Sequence, residues 1–110
     1  MINGSYKKQP SEIETIEIDW NARIEALGVS GYAISAVEVK IYDSTGTDKS
    51  STMLEGAGTY STVFVYFTVK AGTAGDDYTA KIRVTLTKST YVTLAQEEDL
   101  AISVRQRGFA

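Results

Sequence analysis

The chain contains no cysteine and no histidine among its 110 residues. Without cysteine it cannot form disulfides, thiolate zinc sites or iron–sulfur clusters, and it has no thiol nucleophile. Without histidine it lacks the commonest general base and the commonest transition-metal ligand. A Ser-His-Asp triad is therefore impossible, and we expect no enzymatic activity and no cofactor. The lack of cysteine also fits a reducing compartment.

A strong charge of one sign and long apolar runs are also missing. The net charge is −3, and the basic residues are scattered among acids instead of forming a stripe, so we expect no nucleic-acid partner. No apolar run approaches the roughly 20 residues of a membrane helix, so we expect no membrane partner. The first residues lack the charged and apolar regions of a signal peptide. We therefore expect a protein that stays in the cytosol after synthesis.

The length and composition predict one globular domain. Apolar residues make up 43% of the chain and charged residues 23%, which are ordinary values. Residues 1–11 are polar and contain the single proline, Pro10, so we predict a flexible N-terminal arm there. We place the folded domain at residues 12–105 and a C-terminal tail at 106–110.

Alternation of apolar and polar residues predicts β-strands over most of this domain. The period of two is clear in residues 34–42, 60–70 and 78–87 and resumes after residue 100. Residues 51–54 are interpreted as a further short strand, whereas the acids 97–99 are expected to interrupt the last ladder. The side chains predicted to form the core are Trp20, Val37, Val39, Ile41, Val65, Phe67, Ile82, Val84, Leu86, Ile102 and Val104.

Residues 20–27 carry the only predicted helix. Trp20, Ile24 and Leu27 fall at helical spacing, and Gly28 suits the end of the segment. We expect Trp20 to be buried, with its N–H bonded to a loop carbonyl.

Six to seven strands, with turn residues between them and one short helical insert, predict an all-β fold. The spacing of 8–15 residues is typical of a sandwich or a small barrel. We predict an immunoglobulin-like antiparallel β-sandwich. It cannot be the disulfide-linked antibody type, because there is no cysteine.

Several polar segments invite a chemical interpretation that their spacing does not support. Residues 43–48 lack the ligand spacing of a calcium loop and are interpreted as an ordinary turn. The acids at 76–77 and 97–99 could share a divalent ion only if their loops met in space, and solvated acids are the simpler interpretation. No spacing selects two carboxylates for glycoside hydrolysis. We therefore predict no metal and no catalytic residues.

A glycine-rich segment connects two predicted strands. It lacks the G-K-[ST] ending of a phosphate-binding loop and precedes a strand instead of a helix. We interpret it as a structural loop made of Gly72, Thr73, Ala74, Gly75 and Tyr78.

Tyrosine is abundant, with seven copies. Packing on sheet faces accounts for most of them. The alternative is that Tyr42, Phe64 and Tyr66, which share the outward register of their strands, form a protein–protein interface.

Short matches spread over residues 8–104 resemble small virion structural proteins of tailed phages and prophages, of the fibre–tail adaptor kind. They are Lys8-Gln9-Pro10-Ser11-Glu12, Ile18-Asp19-Trp20, Ala33-Ile34-Ser35-Ala36-Val37, Ala71-Gly72-Thr73-Ala74-Gly75-Asp76-Asp77-Tyr78 and Ile82-Arg83-Val84-Thr85. The resemblance implies an immunoglobulin-like sandwich without enzymatic activity that packs against other phage structural proteins or copies of itself. It also implies a location in the host bacterial cytoplasm during assembly and then in the virion.

Two functional hypotheses stay open at this point. The first is the structural or assembly protein of a phage or prophage tail region, with the two terminal segments as docking arms. The second is a stand-alone immunoglobulin-like binding module for carbohydrate or protein adhesion, which would need an exposed aromatic platform.

Overall fold

The computed structural model describes residues 2–8 and 12–105, and this part of the chain holds seven strands and two short helices. No helix within it is long and apolar enough to cross a membrane. The elements in chain order are β1 (Ile2–Lys8), β2 (Glu14–Asp19), α1 (Asn21–Glu25), β3 (Ala33–Asp43), α2 (Ser50–Met53), β4 (Thr59–Tyr60), β5 (Phe64–Val69), β6 (Asp77–Thr87) and β7 (Leu94–Val104).

The strands form two sheets. The four-stranded sheet has the order β1-β7-β6-β3, and the three-stranded sheet has the order β2-β5-β4. All neighbours are antiparallel except β1 and β7, which run parallel. The two sheets share one hydrophobic core, so the molecule is a β-sandwich.

Period-two alternation explains which faces meet in the core. Along β6, the side chains of Tyr78, Ala80, Ile82, Val84 and Leu86 are all buried. β5 alternates in the same way, with Val65, Phe67 and Val69 buried between half-buried neighbours. Of the side chains predicted to form the core, Val37 is partly buried and the others are buried.

The helical insert is shorter than predicted. Helix α1 covers Asn21–Glu25, and the chain then turns through Gly28, whose φ of 75° suits a residue without a Cβ. Residues 51–54, interpreted as a strand, instead belong largely to helix α2. Two contacts hold this helix against the sheet: Ser50 Oγ accepts a hydrogen bond from the Ile41 N–H at 2.9 Å, and Met53 is buried.

The segment predicted as one strand over residues 60–70 is two strands. A tight turn at 61–63 separates β4 from β5, and the Ser61 N–H donates to the Phe64 carbonyl at 2.9 Å. The turn reverses the chain so that Tyr60 pairs with Val65.

The predicted interruption at residues 97–99 is wrong, because these acids lie inside β7. Glu97 pairs across the ladder with Arg83, and Asp99 pairs with Lys81. The outward-facing acids are therefore neutralised by basic residues on β6, so the strand continues through them.

The arm predicted at residues 1–11 contains a strand in place of a flexible segment. β1 pairs with β7 from Ile2 opposite Asp99 to Lys8 opposite Val104. The Lys8 ammonium is buried and donates to the Ala71 carbonyl at 2.6 Å. Burial lowers the pKa of Lys8, and Glu12 and Glu14 oppose this shift.

Residues 9–11 and the predicted tail at 106–110 lie outside the described residues, and the bounds of the domain stay a prediction.

Candidate functional site

Three connections converge at one end of the sandwich, which we call the loop end. They are residues 20–32 between β2 and β3, residues 61–63 between β4 and β5, and residues 88–93 between β6 and β7. Backbone hydrogen bonds join them, from the Trp20 N–H to the Val63 carbonyl at 2.7 Å and from the Ile34 N–H to the Thr62 carbonyl at 3.0 Å. The loop end is therefore a hydrogen-bonded unit.

Trp20 anchors the first of these connections. Its side chain is fully buried, and its indole N–H donates to Gln96 Oε1 at 2.8 Å. The partner is thus a side chain on β7 and not the loop carbonyl expected from the sequence. The guanidinium of Arg23 lies 5.0 Å from the centre of the indole, within cation–π range.

The connection between β6 and β7 presents exposed apolar side chains. Tyr91 is 51% exposed and Val92 is 75% exposed. The Tyr32 hydroxyl donates to the Val92 carbonyl at 2.7 Å, and the Tyr32 and Tyr91 rings meet edge to face with centroids 6.3 Å apart. These contacts order the loop, and the side chains of Tyr91 and Val92 stay exposed to solvent on it.

Lys88 reinforces the same loop from its other side. Its ammonium lies 4.3 Å from the centre of the Tyr91 ring and donates to the Ser30 carbonyl. Thr90 adopts a φ of 68°, a left-handed conformation that is uncommon for a residue with a branched side chain. The loop conformation is therefore specified by its contacts with residues 30–32.

A cleft of about 500 Å³ opens beside α1 at the loop end. Its apolar walls are formed by Tyr32, Val63, Ile24 and Val29, and its polar groups come from Asn21 and Glu25. The cleft has the mixed lining that ligand and peptide sites show.

The three aromatic side chains predicted as an interface do not lie together. Phe64 and Tyr66 lie on the outer face of the three-stranded sheet, with ring centroids 6.3 Å apart. Tyr42 lies on the outer face of the other sheet, beside Lys40 and Lys81. A shared outward register fixes the face of a strand but not the sheet to which the strand belongs, so the predicted single interface is wrong. All three side chains are half-buried.

The predicted structural loop contacts the core at several points. The Tyr78 hydroxyl accepts a hydrogen bond from the Thr73 N–H at 3.0 Å. Gly72 has a φ of 98°, and a Cβ there would lie 2.8 Å from Val104 Cγ2. The loop is thus fitted tightly against β7.

The acidic segments stay apart in the fold. Asp77 lies opposite Ser103 and Asp99 lies opposite Lys81, four residues further along β6. Four residues of a strand span about 13 Å, too far for one ion to bridge. No group of three or more acids suited to a metal ion occurs in the part of the chain that the structure describes.

The turn after β3 is held by two aspartates. Asp43 Oδ1 accepts hydrogen bonds from the Thr45 hydroxyl at 2.7 Å and the Thr47 N–H at 2.9 Å, which lower the pKa of Asp43. Hydrogen bonds from Ser50 lower the pKa of Asp48 in the same way. Both carboxylates therefore have structural roles in the turn.

Sequence patterns missed two features of this region. Tyr91 and Val92 fit the alternation of a strand that continues from Tyr91 to Leu94, so the sequence gives no sign that they lie exposed on a loop. Glu98 was grouped with its acidic neighbours, but it is 7% exposed and its Oε1 pairs with Arg23. Glu98 shares the register of the inward residues Leu100 and Ile102, whereas Glu97 and Asp99 do not. This difference in register could have distinguished Glu98 from its neighbours.

Comparisons with known proteins bear on the fold. Neither the scan against protein-family models nor the search of curated proteins found a match. Among solved structures, murine CRIg is similar at a TM-score of 0.57 and 16% sequence identity, with 93% of this chain and 92% of that chain covered. The likeness extends over nearly the whole of both chains, and it shows that this chain has an immunoglobulin-like fold.

Proposed function

We propose that the chain is a non-enzymatic binding module that uses its loop end to pack against other protein subunits. The observation that carries the proposal is the exposure of Tyr91 and Val92 on a loop whose conformation is fixed by Tyr32 and Lys88. Aromatic side chains such as Tyr91 are enriched among the few residues that supply most of the affinity in protein interfaces, and an apolar neighbour such as Val92 adds buried area.

The rigidity of the loop supports a binding role. An interface loses affinity when it must order flexible side chains on binding. Here the backbone at Val92 and the ring of Tyr91 are already held by contacts within the loop end. Binding would therefore bury exposed apolar surface at a small cost in ordering.

The setting of this function comes from the sequence resemblance alone. We propose that the partners are neighbouring structural proteins of a phage or prophage particle, or further copies of this chain. Assembly would then begin in the cytoplasm of the bacterial host. The protein would finally lie in the tail or fibre-adaptor region of the particle.

Protein adhesion through the same surface is the alternative. A carbohydrate platform built on Trp20 does not fit, because Trp20 is 0% exposed. The adhesion alternative uses the same residues at the loop end and differs only in the partner.

The test compares two substitutions that each replace one exposed apolar side chain by an acid. Val92→Asp alters the loop end, whereas Ile13→Asp alters a residue that is 65% exposed and precedes β2 at the opposite end of that strand. Losing an apolar anchor at an interface costs about 1–2 kcal/mol, or about a tenfold change in affinity. We expect that loss for Val92→Asp only.

Two measurements cover the two kinds of partner. Light scattering over a range of concentrations reports self-association, and a photo-crosslinking residue at position 92 in particle-producing cells reports a heterologous subunit. The proposal requires either an oligomer that Val92→Asp dissociates or a cross-link to one structural protein whose binding Val92→Asp weakens. Equal behaviour of the Val92→Asp and Ile13→Asp proteins in both measurements would refute it.

A further inference from the structure

A second pocket lies at the side of the sandwich, between the end of β2 and the middle of β7. Its volume is about 220 Å³. The sandwich is open here because β1 reaches only as far as Asp99, so it does not run beside Leu94–Glu98. The residues that line the pocket are Glu17, Ile18, Asp19, Ile82, Glu98, Asp99 and Leu100.

Glu98 gives this pocket a buried and incompletely satisfied carboxylate. The residue is 7% exposed, and its Oε1 forms an ion pair with Arg23. Its Oε2 is buried without a hydrogen-bond partner among the described residues. A buried charged oxygen in this state destabilises the protein unless a donor reaches it.

The pocket has an excess of negative charge. Four of its lining residues are acids, namely Glu17, Asp19, Glu98 and Asp99. Two cations oppose them, since Arg23 pairs with Glu98 and Lys81 lies 3.4 Å from Asp99. The difference leaves a local net charge of −2, which attracts a cation.

The shape and lining favour a cation that carries an aliphatic stem. Ile18, Ile82 and Leu100 supply an apolar wall, against which the methylene groups of a long basic side chain pack well. A bare divalent ion fits less well, because no three carboxylates in the described ranges are arranged to hold one. A guanidinium has five N–H donors and can reach more than one carboxylate at once.

We propose that this pocket binds the arginine side chain of a partner polypeptide. The stem lies along the apolar wall, and the guanidinium donates to Glu98 Oε2 and to the carboxylates at the rim. The site is separate from Tyr91 and Val92, so this inference does not depend on the role of those two residues.

The test is a titration of the 15N-labelled protein with the peptide acetyl-Thr-Arg-Thr-amide, followed by amide chemical shifts. The matched probe replaces arginine by citrulline, which keeps the shape and removes the charge. We expect saturable shifts at Ile18, Asp19 and Glu98–Leu100 with the arginine peptide, weaker at higher salt, and none with the citrulline peptide.

Three glutamate-to-glutamine variants locate the site. Glu17→Gln and Glu98→Gln remove one charge from the pocket, whereas Glu97→Gln removes one from the opposite face of β7, where the side chain is 73% exposed. We expect about a two- to fivefold weaker Kd for each pocket variant and no change for Glu97→Gln. Glu17 is exposed, so its variant tests the site even if Glu98→Gln fails to fold.

Shifts of equal size with the citrulline peptide would overturn the proposal, as would the absence of saturable shifts at the pocket. Equal weakening by Glu97→Gln and Glu17→Gln would also overturn it, because the effect would then report the overall charge of the protein.

Discussion

At the scale of single residues, Trp20 joins the loop end to the core and to β7. Its indole fills the core, its N–H reaches Gln96 on β7, and its outer surface contacts Arg23. A buried N–H that loses its acceptor costs about 1–3 kcal/mol. The stability of this cluster therefore depends on the hydrogen bond to Gln96.

We expect Gln96→Leu to lower the free energy of unfolding by about 1–3 kcal/mol, because it leaves the Trp20 N–H without an acceptor. Urea denaturation followed by Trp20 fluorescence measures the change. Gln96→Glu keeps an acceptor oxygen at this position and should cost less. If both variants unfold at the same urea concentration, the hydrogen bond makes no net contribution to stability.

Asp43 predicts a dependence of stability on acid pH. Its pKa is lowered in the folded state, so its contribution is present above the unfolded value of about 3.9 and is lost as the pH falls through the folded pKa. The difference in stability between the wild type and Asp43→Asn should therefore shrink as the pH falls below about 4. Thermal unfolding of both proteins between neutral pH and pH 2 measures this, and a constant difference would contradict it.

At the scale of elements, the connection from β5 to β6 packs closely against β1, β6 and β7. Gly72 lies close to Val104. The Tyr78 hydroxyl accepts a hydrogen bond from the Thr73 N–H, and the Lys8 ammonium donates one to the Ala71 carbonyl. These contacts join β1, β6 and β7 at the end of the sandwich opposite the loop end. A side chain at Gly72 would meet Val104 and Met53.

Gly72→Ala should lower the free energy of unfolding by about 2–3 kcal/mol, because the new Cβ meets Val104 and the backbone has a positive φ. Gly75→Ala is the matched control. Its φ of 92° is similar, but nothing lies within 4 Å of the new Cβ, so we expect only about 1 kcal/mol. Thermal denaturation measures both, and equal losses would show that the contact with Val104 is unimportant.

Strands with a clean period of two were the elements that the sequence predicted well. β6 has its apolar residues inward along all 11 residues, and β3 alternates in the same way from Val37 to Ile41, after a bulge between Ile34 and Ala36. The acids of β7 misled the prediction because their ladder partners, Arg83 and Lys81, are distant in sequence. Helix α2 depends on a hydrogen bond between Ser50 and Ile41, which no local pattern encodes.

The candidate sites were less accessible to sequence reasoning than the fold. The alternation placed Tyr42 and Tyr66 on outward registers, but only the strand order shows that they lie on different sheets. The side pocket needs Ile18 on β2 and Glu98 on β7 to lie close together across the two sheets. Such contacts follow from sheet packing, which the spacing of residues does not specify.

At the scale of the whole molecule, β1 covers one edge of the four-stranded sheet. Without it, the β7 backbone from Asp99 to Val104 would keep β6 on one side and lose its partner on the other. An uncovered edge exposes N–H and C=O groups that pair readily with other chains. The N-terminal strand therefore protects the sheet as well as extending it.

Deletion of residues 1–8 should lower the melting temperature by at least about 5 °C, which corresponds to about 1 kcal/mol at this chain length. It should also increase aggregation on heating, because β7 becomes an open edge. Calorimetry and light scattering measure the two effects. Lys8→Ala in the full chain removes the bond to Ala71 but keeps the strand, so it should cause less aggregation than the deletion. An unchanged melting temperature in the truncated protein would contradict a stabilising role for β1.

The pairing of β1 with β7 also has a consequence for synthesis on the ribosome. β1 leaves the ribosome before β7 and must wait for it, since Ile2 pairs with Asp99 and Lys8 with Val104. β2 and β5, by contrast, can pair as soon as residue 69 is exposed, before β7 is. Contacts between such distant positions slow folding, and a waiting strand is open to pairing with the wrong chain. The nascent protein thus passes through a stage in which the three-stranded sheet can form but the four-stranded sheet cannot close.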